Sequence, residues 1–122
     1  MQRTTDTTIA VRLDGQRFWL TLQDVEGSLI GIELTYHEAE SNPRASLLHM
    51  AARTATLALQ QGVKPEDLIE LWLGTSFGPR GRVQDAERGV SYFARSVLDW
   101  AAREIGAHYC DRPELVGQVR EE

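Results

Sequence analysis

Alternation of apolar and polar side chains across the first 36 residues constrains the fold more than any other feature of this sequence. Apolar residues occupy every second position in three segments, which are residues 8–13, 16–22 and 29–36. This is the period of a half-buried strand. Asp14-Gly15, between the first two segments, is typical of a two-residue hairpin turn, and Gly27 lies in a looser turn before the third. The pattern predicts a three-stranded antiparallel meander.

The rest of the chain repeats its apolar residues at helical spacing. Ser41-Asn42-Pro43 has the capping side chain and proline of a helix start, and Gly62 gives this first helix its end. Its repeat consists of Leu47, Met50, Ala51, Thr54, Leu57 and Ala58. Further helices are predicted over residues 65–73 and 85–105, the last ending at Gly106. The predicted fold class is α+β, a three-stranded antiparallel sheet from the N-terminal half packed with three helices from the C-terminal half.

A length of 122 residues predicts one domain. We expect a frayed N-terminus over residues 1–7, one domain over residues 8–116 and a polar tail over residues 117–122. The predicted third helix carries Tyr92, Phe93 and Trp100 around more than one side. Helices that are apolar on two sides usually pack against two partners, so we expect a homodimer or a higher homo-oligomer.

Composition restricts the partners. A formal net charge of -5 argues against binding to duplex nucleic acid, because such binding depends on neutralising phosphates. The single cysteine, Cys110, excludes internal disulfides, a CxxC redox pair and zinc sites built from several cysteines. The sequence has no apolar run of membrane-spanning length and no apolar leader, so we expect a cytoplasmic protein without a membrane partner. No cofactor is predicted.

The loop between the second and third predicted helices is the strongest candidate for a ligand site. Gly78 and Gly81 allow the backbone to approach a ligand closely, and Arg80 and Arg82 add positive charge. Phe77 could stack on a base, and the start of the next helix would favour an anion. The set suits a nucleotide, although it matches no known phosphate-loop spacing. The alternative is an ordinary connector whose Phe77 inserts into the core.

Other candidates for chemistry are weaker. His37, His49 and His108 lack the spacing of metal ligands, and we expect His37 to be solvated. Ser76, Ser91 and Ser96 lie in no nucleophile motif. We expect Arg103 and Glu104 to form a solvated pair on the third predicted helix. The residues give no positive argument for catalysis, so we expect a protein that is not an enzyme.

Several stretches resemble a known module. They are Gly31-Ile32-Glu33, the run from Leu57 to Asp67, Phe77-Gly78-Pro79-Arg80-Gly81, and Ser96-Val97-Leu98-Asp99-Trp100 with Arg103-Glu104. Together they resemble the C-terminal TSCPD domain of cobalamin-dependent (class II) ribonucleotide reductases, over about residues 18–115. The reductase barrel and its catalytic cysteines have no counterpart here. The resemblance therefore implies a free-standing module without reductase activity.

A second resemblance is to the phage-encoded Thoeris anti-defence one sponges. Members of that family sequester cyclic ADP-ribose isomers, and in some cases cyclic oligonucleotides, between subunits without cleaving them. The resemblance implies that Phe77 stacks on the ligand, that Arg103 and Glu104 supply an arginine–acid pair, and that Arg53 contributes from the first helix. A loop asparagine of the family has no clear match, because Gln84-Asp85-Ala86 stands there. This departure leaves the identity of the ligand open.

Three functions follow from these features. The first is a non-enzymatic protein that sequesters a cyclic nucleotide immune signal, in the host cytoplasm if the protein is viral. The second is an accessory or regulatory module related to class II ribonucleotide reductase, and the third is a structural interaction module. The ligand-binding residues predicted for the first function are Phe77, Arg53, Arg103, Glu104, Arg80, Arg82, Gly78 and Gly81.

Overall fold

Strands β1 (Thr4–Leu13), β2 (Gln16–Val25) and β3 (Ser28–Tyr36) form the predicted meander, in the order β1-β2-β3. The structure is a computed structural model that describes residues 3–36 and 43–118. Asp14 and Gly15 both have positive φ, 51° and 77°, as a type I′ hairpin turn requires. Strand β1 begins four residues before the predicted segment. The α+β class is confirmed.

One face of this sheet is buried. Leu20 pairs with Leu34 and Leu22 pairs with Ile32 across β2 and β3, and all four side chains are buried. Because neighbouring residues of a strand project to opposite faces, the residues between them form the polar face. A bulge after Gln23 shifts the register near the end of the hairpin.

Helix α1 (Pro43–Gln60) lies against β3 and buries a side different from the one that its apolar repeat predicts. Its buried residues are Leu48, Ala52, Ala55 and Leu59, whereas Leu47, Met50 and Leu57 are 72%, 55% and 59% exposed. The hydroxyl of Thr56 accepts a bond from the Ile32 amide at 2.9 Å and lies 3.0 Å from the Ile32 carbonyl, so it occupies the free edge of β3. The predicted cap, Ser41-Asn42, lies outside the described residues, as does His37.

The prediction of a long third helix over residues 85–105 is wrong in its first part. Helix α2 (Pro65–Trp72) agrees with expectation, but a hairpin of β4 (Gly81–Asp85) and β5 (Val90–Ala94) precedes α3 (Val97–Tyr109). A short 3₁₀ turn, Pro113–Val116, follows and packs on α3. Buried Val83, Val90, Tyr92 and Ala94 alternate with exposed residues, which is the strand period in two segments only five residues long.

The hairpin removes the basis of two expectations. Tyr92 and Phe93 belong to β5, and Trp100 is completely buried on α3, so the three do not surround one helix. The oligomer predicted from them stays a prediction. The loop with Phe77 leads into β4, so no helix start follows it.

The chain divides into two compact units. Unit 1 comprises Met1–Val11 and Arg17–Lys64, which is most of the meander with α1. Unit 2 comprises Arg12–Gln16 and Pro65–Glu122, in which α2 and α3 pack together beside the β4–β5 hairpin. Each has its own buried side chains, centred on Phe18, Leu20 and Leu22 in unit 1 and on Ile69, Trp100 and Ile105 in unit 2.

Candidate functional site

The loop between α2 and β4 is held by hydrogen bonds within unit 2. The Gly74 amide donates to Asp99 Oδ1 at 2.8 Å, and the Thr75 and Ser96 hydroxyls are 2.8 Å apart. The Phe77 amide donates to the carbonyl of Arg95 at 3.2 Å. The amides of Gly74 and Phe77 therefore already have partners and are not offered to an anion.

Asp99 joins this loop to the start of α3. It is fully buried, and its Oδ2 accepts from the Arg95 amide at 3.0 Å and from Arg103 Nε at 3.2 Å. Its own amide donates to Ser96 Oγ at 2.9 Å, which caps the helix. Sequence reasoning missed Asp99, although Ser96 and Asp99 have the three-residue spacing of a capping box. Carboxylates buried this deeply are rarely stable unless every oxygen is bonded, as here.

Phe77 is neither fully exposed, as a free stacking ring would be, nor fully inserted into the core. Its side chain is half-buried, while Gly78 beside it is exposed. A cis peptide bond joins Gly78 to the buried Pro79. Gly81 begins β4 and pairs with Ala94, so it belongs to the hairpin. The ring of Phe77 keeps an accessible surface, and its stacking on a ligand stays a prediction.

Arg80 and Arg82 lie on the exposed side of unit 2. Arg82 is on β4 and donates from Nη2 to Ser91 Oγ at 3.1 Å, which leaves its other guanidinium nitrogens to solvent. Arg80 precedes β4 and is exposed. Among the described residues neither guanidinium has an acidic partner. Both are therefore placed to contact an anion from solvent.

Arg103 and Glu104 are not the solvated pair that the sequence suggested. Arg103 donates to Asp99 and, from Nη1, to the Leu115 carbonyl at 2.9 Å, and its guanidinium lies 5.5 Å from the centre of the Tyr92 ring. Glu104 is fully buried on the same helix. The two side chains have different partners, because consecutive helical residues point in directions about 100° apart.

Glu104 belongs to a buried polar cluster with Tyr92 and Arg88. The Tyr92 hydroxyl donates to Glu104 Oε2 at 2.9 Å, and Arg88 Nη2 donates to Oε1 in an ion pair. Burial, and next the Glu104 carboxylate, raise the pKa of Tyr92 far above its usual value. The cluster fixes β5 and the turn before it to α3. Sequence reasoning missed Arg88 and Tyr92 because it placed them on the wrong element.

A groove of about 740 Å³ lies in unit 1. One wall is α1, and the other is the polar face of β2 and β3. Its lining residues are Gln23, Ile32, Glu33, His49, Met50, Arg53, Thr54, Thr56, Leu57 and Gln60. Sequence reasoning found Arg53 through a family resemblance but did not find this groove, because the face of α1 that forms it was expected to be the packed one.

The predicted site residues are thus divided between the two units. Arg53 lies in the groove of unit 1, and the other seven lie in unit 2. Within unit 2, Arg80 and Arg82 are exposed, Phe77 is half-buried, and Arg103 and Glu104 belong to internal networks. As ligand contacts, all eight stay predictions.

The histidines form no metal site within the described ranges. His49 lines the groove of unit 1, and His108 Nδ1 lies 2.9 Å from the Glu104 carbonyl oxygen. In residues 3–36 and 43–118, no three His, Cys, Asp or Glu side chains are close enough together to hold a metal ion. Within the same ranges no helix has the length and apolarity needed to cross a membrane.

Comparison with known proteins gives one match. A family model described as the TSCPD domain matches residues 1–109, nine-tenths of the chain. It includes both units as far as the end of α3. Neither the curated proteins nor the solved structures contain a match to this chain.

Proposed function

Since the chain belongs to the TSCPD domain family and is a ribonucleotide reductase-related module, we propose that it binds a phosphate-bearing nucleotide and is not an enzyme. The ligand we propose is a cyclic nucleotide immune signal, a cyclic ADP-ribose isomer or a cyclic oligonucleotide, which the protein sequesters intact as a phage anti-defence sponge. The groove of unit 1 carries this proposal. It is concave, it has the size of a ligand site, and Arg53 is at its wall.

The size of the groove supports the proposal of a ligand site. Small-molecule sites commonly measure about 300–1,000 Å³, and the groove, at about 740 Å³, lies within that range. It combines apolar surface from Met50 and Leu57 with the polar groups of Gln23, Glu33 and Gln60. A nucleotide needs both kinds of surface, because its base is flat and apolar while its sugar and phosphates form hydrogen bonds.

Arg53 is the phosphate contact in this proposal. It is exposed on α1 and has no ion pair or hydrogen bond to any described side chain. His49 and Leu57, four residues before and after it, share its side of the helix. A guanidinium donates two parallel hydrogen bonds to one phosphate, whereas a lysine ammonium acts as a point charge. Glu33, on the opposite wall, would accept a hydrogen bond from a ribose hydroxyl or a base amino group.

A second copy of the chain would close the groove. The groove is open, and the exposed Leu47, Met50 and Leu57 give α1 an apolar surface that a partner subunit could cover. In this proposal the partner supplies Phe77 as a stacking ring, with Arg80, Arg82 and the backbone at Gly78 and Gly81 around the phosphates. Arg103 and Glu104 would contribute indirectly. Arg103 bonds to Asp99, which holds the loop, and Glu104 bonds to Tyr92, which belongs to β5.

A thermal-shift panel tests the proposal. The panel contains cyclic ADP-ribose isomers, cyclic di- and trinucleotides and ordinary nucleoside triphosphates. A ligand at 100 times its Kd stabilises by about 2.7 kcal/mol, which raises Tm by roughly 10 °C for a chain of this size. We expect a shift with at least one cyclic species, which is recovered unmodified after heat denaturation. Recovery of cleaved ligand would contradict sequestration.

Variants of Arg53 show whether the groove is responsible. Arg53→Ala should abolish the shift, and Arg53→Lys should keep part of it, because the charge remains and the two-point contact is lost. Arg12→Ala removes another exposed arginine, outside the groove, and is the matched control. If all three variants respond as the unmodified protein does, the ligand binds elsewhere.

The family match itself favours a second candidate, an accessory or regulatory module for a class II ribonucleotide reductase. Such a module would bind a reductase chain, or deoxynucleoside triphosphates in preference to cyclic nucleotides. The same panel, with deoxynucleoside triphosphates added, distinguishes the two, because only this candidate predicts a response to deoxynucleoside triphosphates alone. Co-purification with a reductase subunit would support it. No response to any nucleotide would leave a structural interaction module.

A further inference from the structure

The outer face of the β4–β5 hairpin in unit 2 carries a cationic and aromatic surface that the proposed function does not use in full. Arg82 and Phe93 are direct partners across the hairpin, and both are exposed, Phe93 by 48%. Gln84 and Ser91 form the next exposed pair. The inward residues Val83 and Tyr92 alternate with them and are buried. We call the surface formed by these outward residues the hairpin face; its members, with two neighbouring arginines, are Arg80, Arg82, Gln84, Ser91, Phe93 and Arg95.

Two more arginines extend this face. Arg80 precedes Gly81, the first residue of β4, and Arg95 follows Ala94, the last residue of β5, and both are exposed. Gly81 and Ala94 pair with each other, so the two arginines lie at the same end of the hairpin, which is the end that carries Arg82 and Phe93. No described acidic side chain forms an ion pair with Arg80, Arg82 or Arg95.

The acidic residue of β4 is engaged elsewhere. Asp85, at the end of β4, accepts hydrogen bonds from the Glu87 and Arg88 amides and lies 3.8 Å from the Arg88 guanidinium. Its side chain is therefore directed to the turn. The hairpin face is a local positive surface on a chain whose net charge is -5.

We propose that the hairpin face binds single-stranded nucleic acid. An open strand face does not enclose a small molecule, since small-molecule sites are concave. A single strand can lie across it, with one base stacked on Phe93 and successive phosphates against Arg80, Arg82 and Arg95. Aromatic rings among arginines are the usual contacts of proteins that bind single strands without sequence preference. A duplex cannot stack a base on Phe93, so it should bind more weakly.

Fluorescence anisotropy with a labelled 12-nucleotide oligo(dT) tests this proposal on the full chain at low salt. We expect measurable binding that weakens by roughly 5- to 150-fold in Phe93→Leu, the cost of losing one stacked base. Arg80→Ala and Arg95→Ala should each weaken binding and reduce the slope of log K against log salt by about 0.7. Phe93→Leu keeps an apolar side chain, and an unchanged Tm would show that the hairpin still folds.

Four controls make the result decisive. Arg3→Ala, an exposed arginine of unit 1, should leave oligo(dT) binding unchanged, and so should Arg53→Ala, which separates this surface from the groove. Binding of duplex of the same length as tightly as oligo(dT) would overturn the proposal. So would equal competition by polyglutamate, which would indicate an acidic peptide ligand, or an unaffected Phe93→Leu variant. Absence of oligo(dT) binding at low salt would also overturn it.

Discussion

Replacement of Gly117 by alanine should destabilise the protein by far more than its backbone conformation alone explains. Gly117 ends the 3₁₀ turn with a φ of 78°, and a Cβ built there lies 2.1 Å from the carbonyl oxygen of Ser91 on β5. Gly15 has almost the same φ, 77°, but a Cβ there meets nothing within 4 Å. The left-handed conformation costs an alanine about 1–2 kcal/mol at either position. Any excess at Gly117 measures the clash.

The structure sets the size of that excess. Relief of the clash requires the 3₁₀ turn to recede from β5 by roughly 1 Å, because real contacts of a Cβ are rarely below 3.0 Å. The turn carries Val116, which is fully buried and whose burial contributes about 1.5–3 kcal/mol. The turn also carries the Leu115 carbonyl that accepts from Arg103. We therefore expect Gly117→Ala to cost about 3 kcal/mol or more, against about 1 kcal/mol for Gly15→Ala.

Urea unfolding followed by circular dichroism measures both variants. The midpoint should fall much further for Gly117→Ala, with an unchanged m value, so that the difference reports stability. Equal destabilisation by the two alanines, within about 0.5 kcal/mol, would refute the close approach of the 3₁₀ turn to β5.

Three further variants test other parts of the structure. Thr56→Val should lower the free energy of unfolding in urea by about 1–2 kcal/mol, because the Ile32 amide and carbonyl on the edge of β3 lose their partner. Thr54→Val, on the exposed side of α1, should change it by less than about 0.5 kcal/mol. Similar values for the two variants would contradict the contact between Thr56 and β3. Tyr92→Phe should cost about 2 kcal/mol, because it removes a buried hydrogen bond to a carboxylate, and an unchanged urea midpoint would argue against that bond. Burial, and next Glu66, raise the pKa of Cys110 to about 11. Near pH 8, iodoacetamide should therefore react with Cys110 roughly 100-fold more slowly than with a free thiol, because only the thiolate reacts. The reaction rate should keep rising towards pH 11. Glu66→Gln should accelerate the reaction, and a rate already at its plateau near pH 9 would contradict the raised pKa.

Local patterns in the sequence predict the meander and α2 well. The alternation across β1, β2 and β3 is long enough to be distinguished from a helical period, and Asp14-Gly15 defines the first turn. Helix α2 begins at Pro65 with acidic residues in its first turn, as a helix N-terminus favours. In these elements local preference and tertiary structure agree.

The β4–β5 hairpin could not be predicted in the same way. Each strand has only five residues, too few for alternation to be separated from helical spacing. The turn between them contains Ala86, Glu87 and Arg88, which are good helix formers. The hairpin is stabilised instead by tertiary contacts, since Tyr92 and Arg88 both bond to Glu104 of α3. Periodicity carries no information about such bonds.

The candidate site also combines features that the local sequence predicts with features that depend on tertiary contacts. Arg53, Arg80 and Arg82 are exposed, as ligand contacts must be. Their residue type indicated Arg80 and Arg82, whereas only the family resemblance indicated Arg53. Asp99 reaches Gly74 across 25 positions, a separation that no local motif encodes. The groove depends on which side of α1 packs against β3, and the apolar repeat indicated the wrong side because Leu47, Met50 and Leu57 are exposed. Their exposure is the feature that the proposed subunit contact explains.

The location of nucleotide binding is the central claim, and an NMR titration of ¹⁵N-labelled protein tests it most directly. Addition of the nucleotide that gives the largest thermal shift should perturb the amides around the groove, those of Glu33, Arg53 and Leu57 above all. Amides on the polar face of β1, such as that of Thr8, should move little. If the groove amides stay unperturbed while the ligand binds, Arg53 is not its phosphate contact and the account of this protein as a groove-binding nucleotide module is wrong.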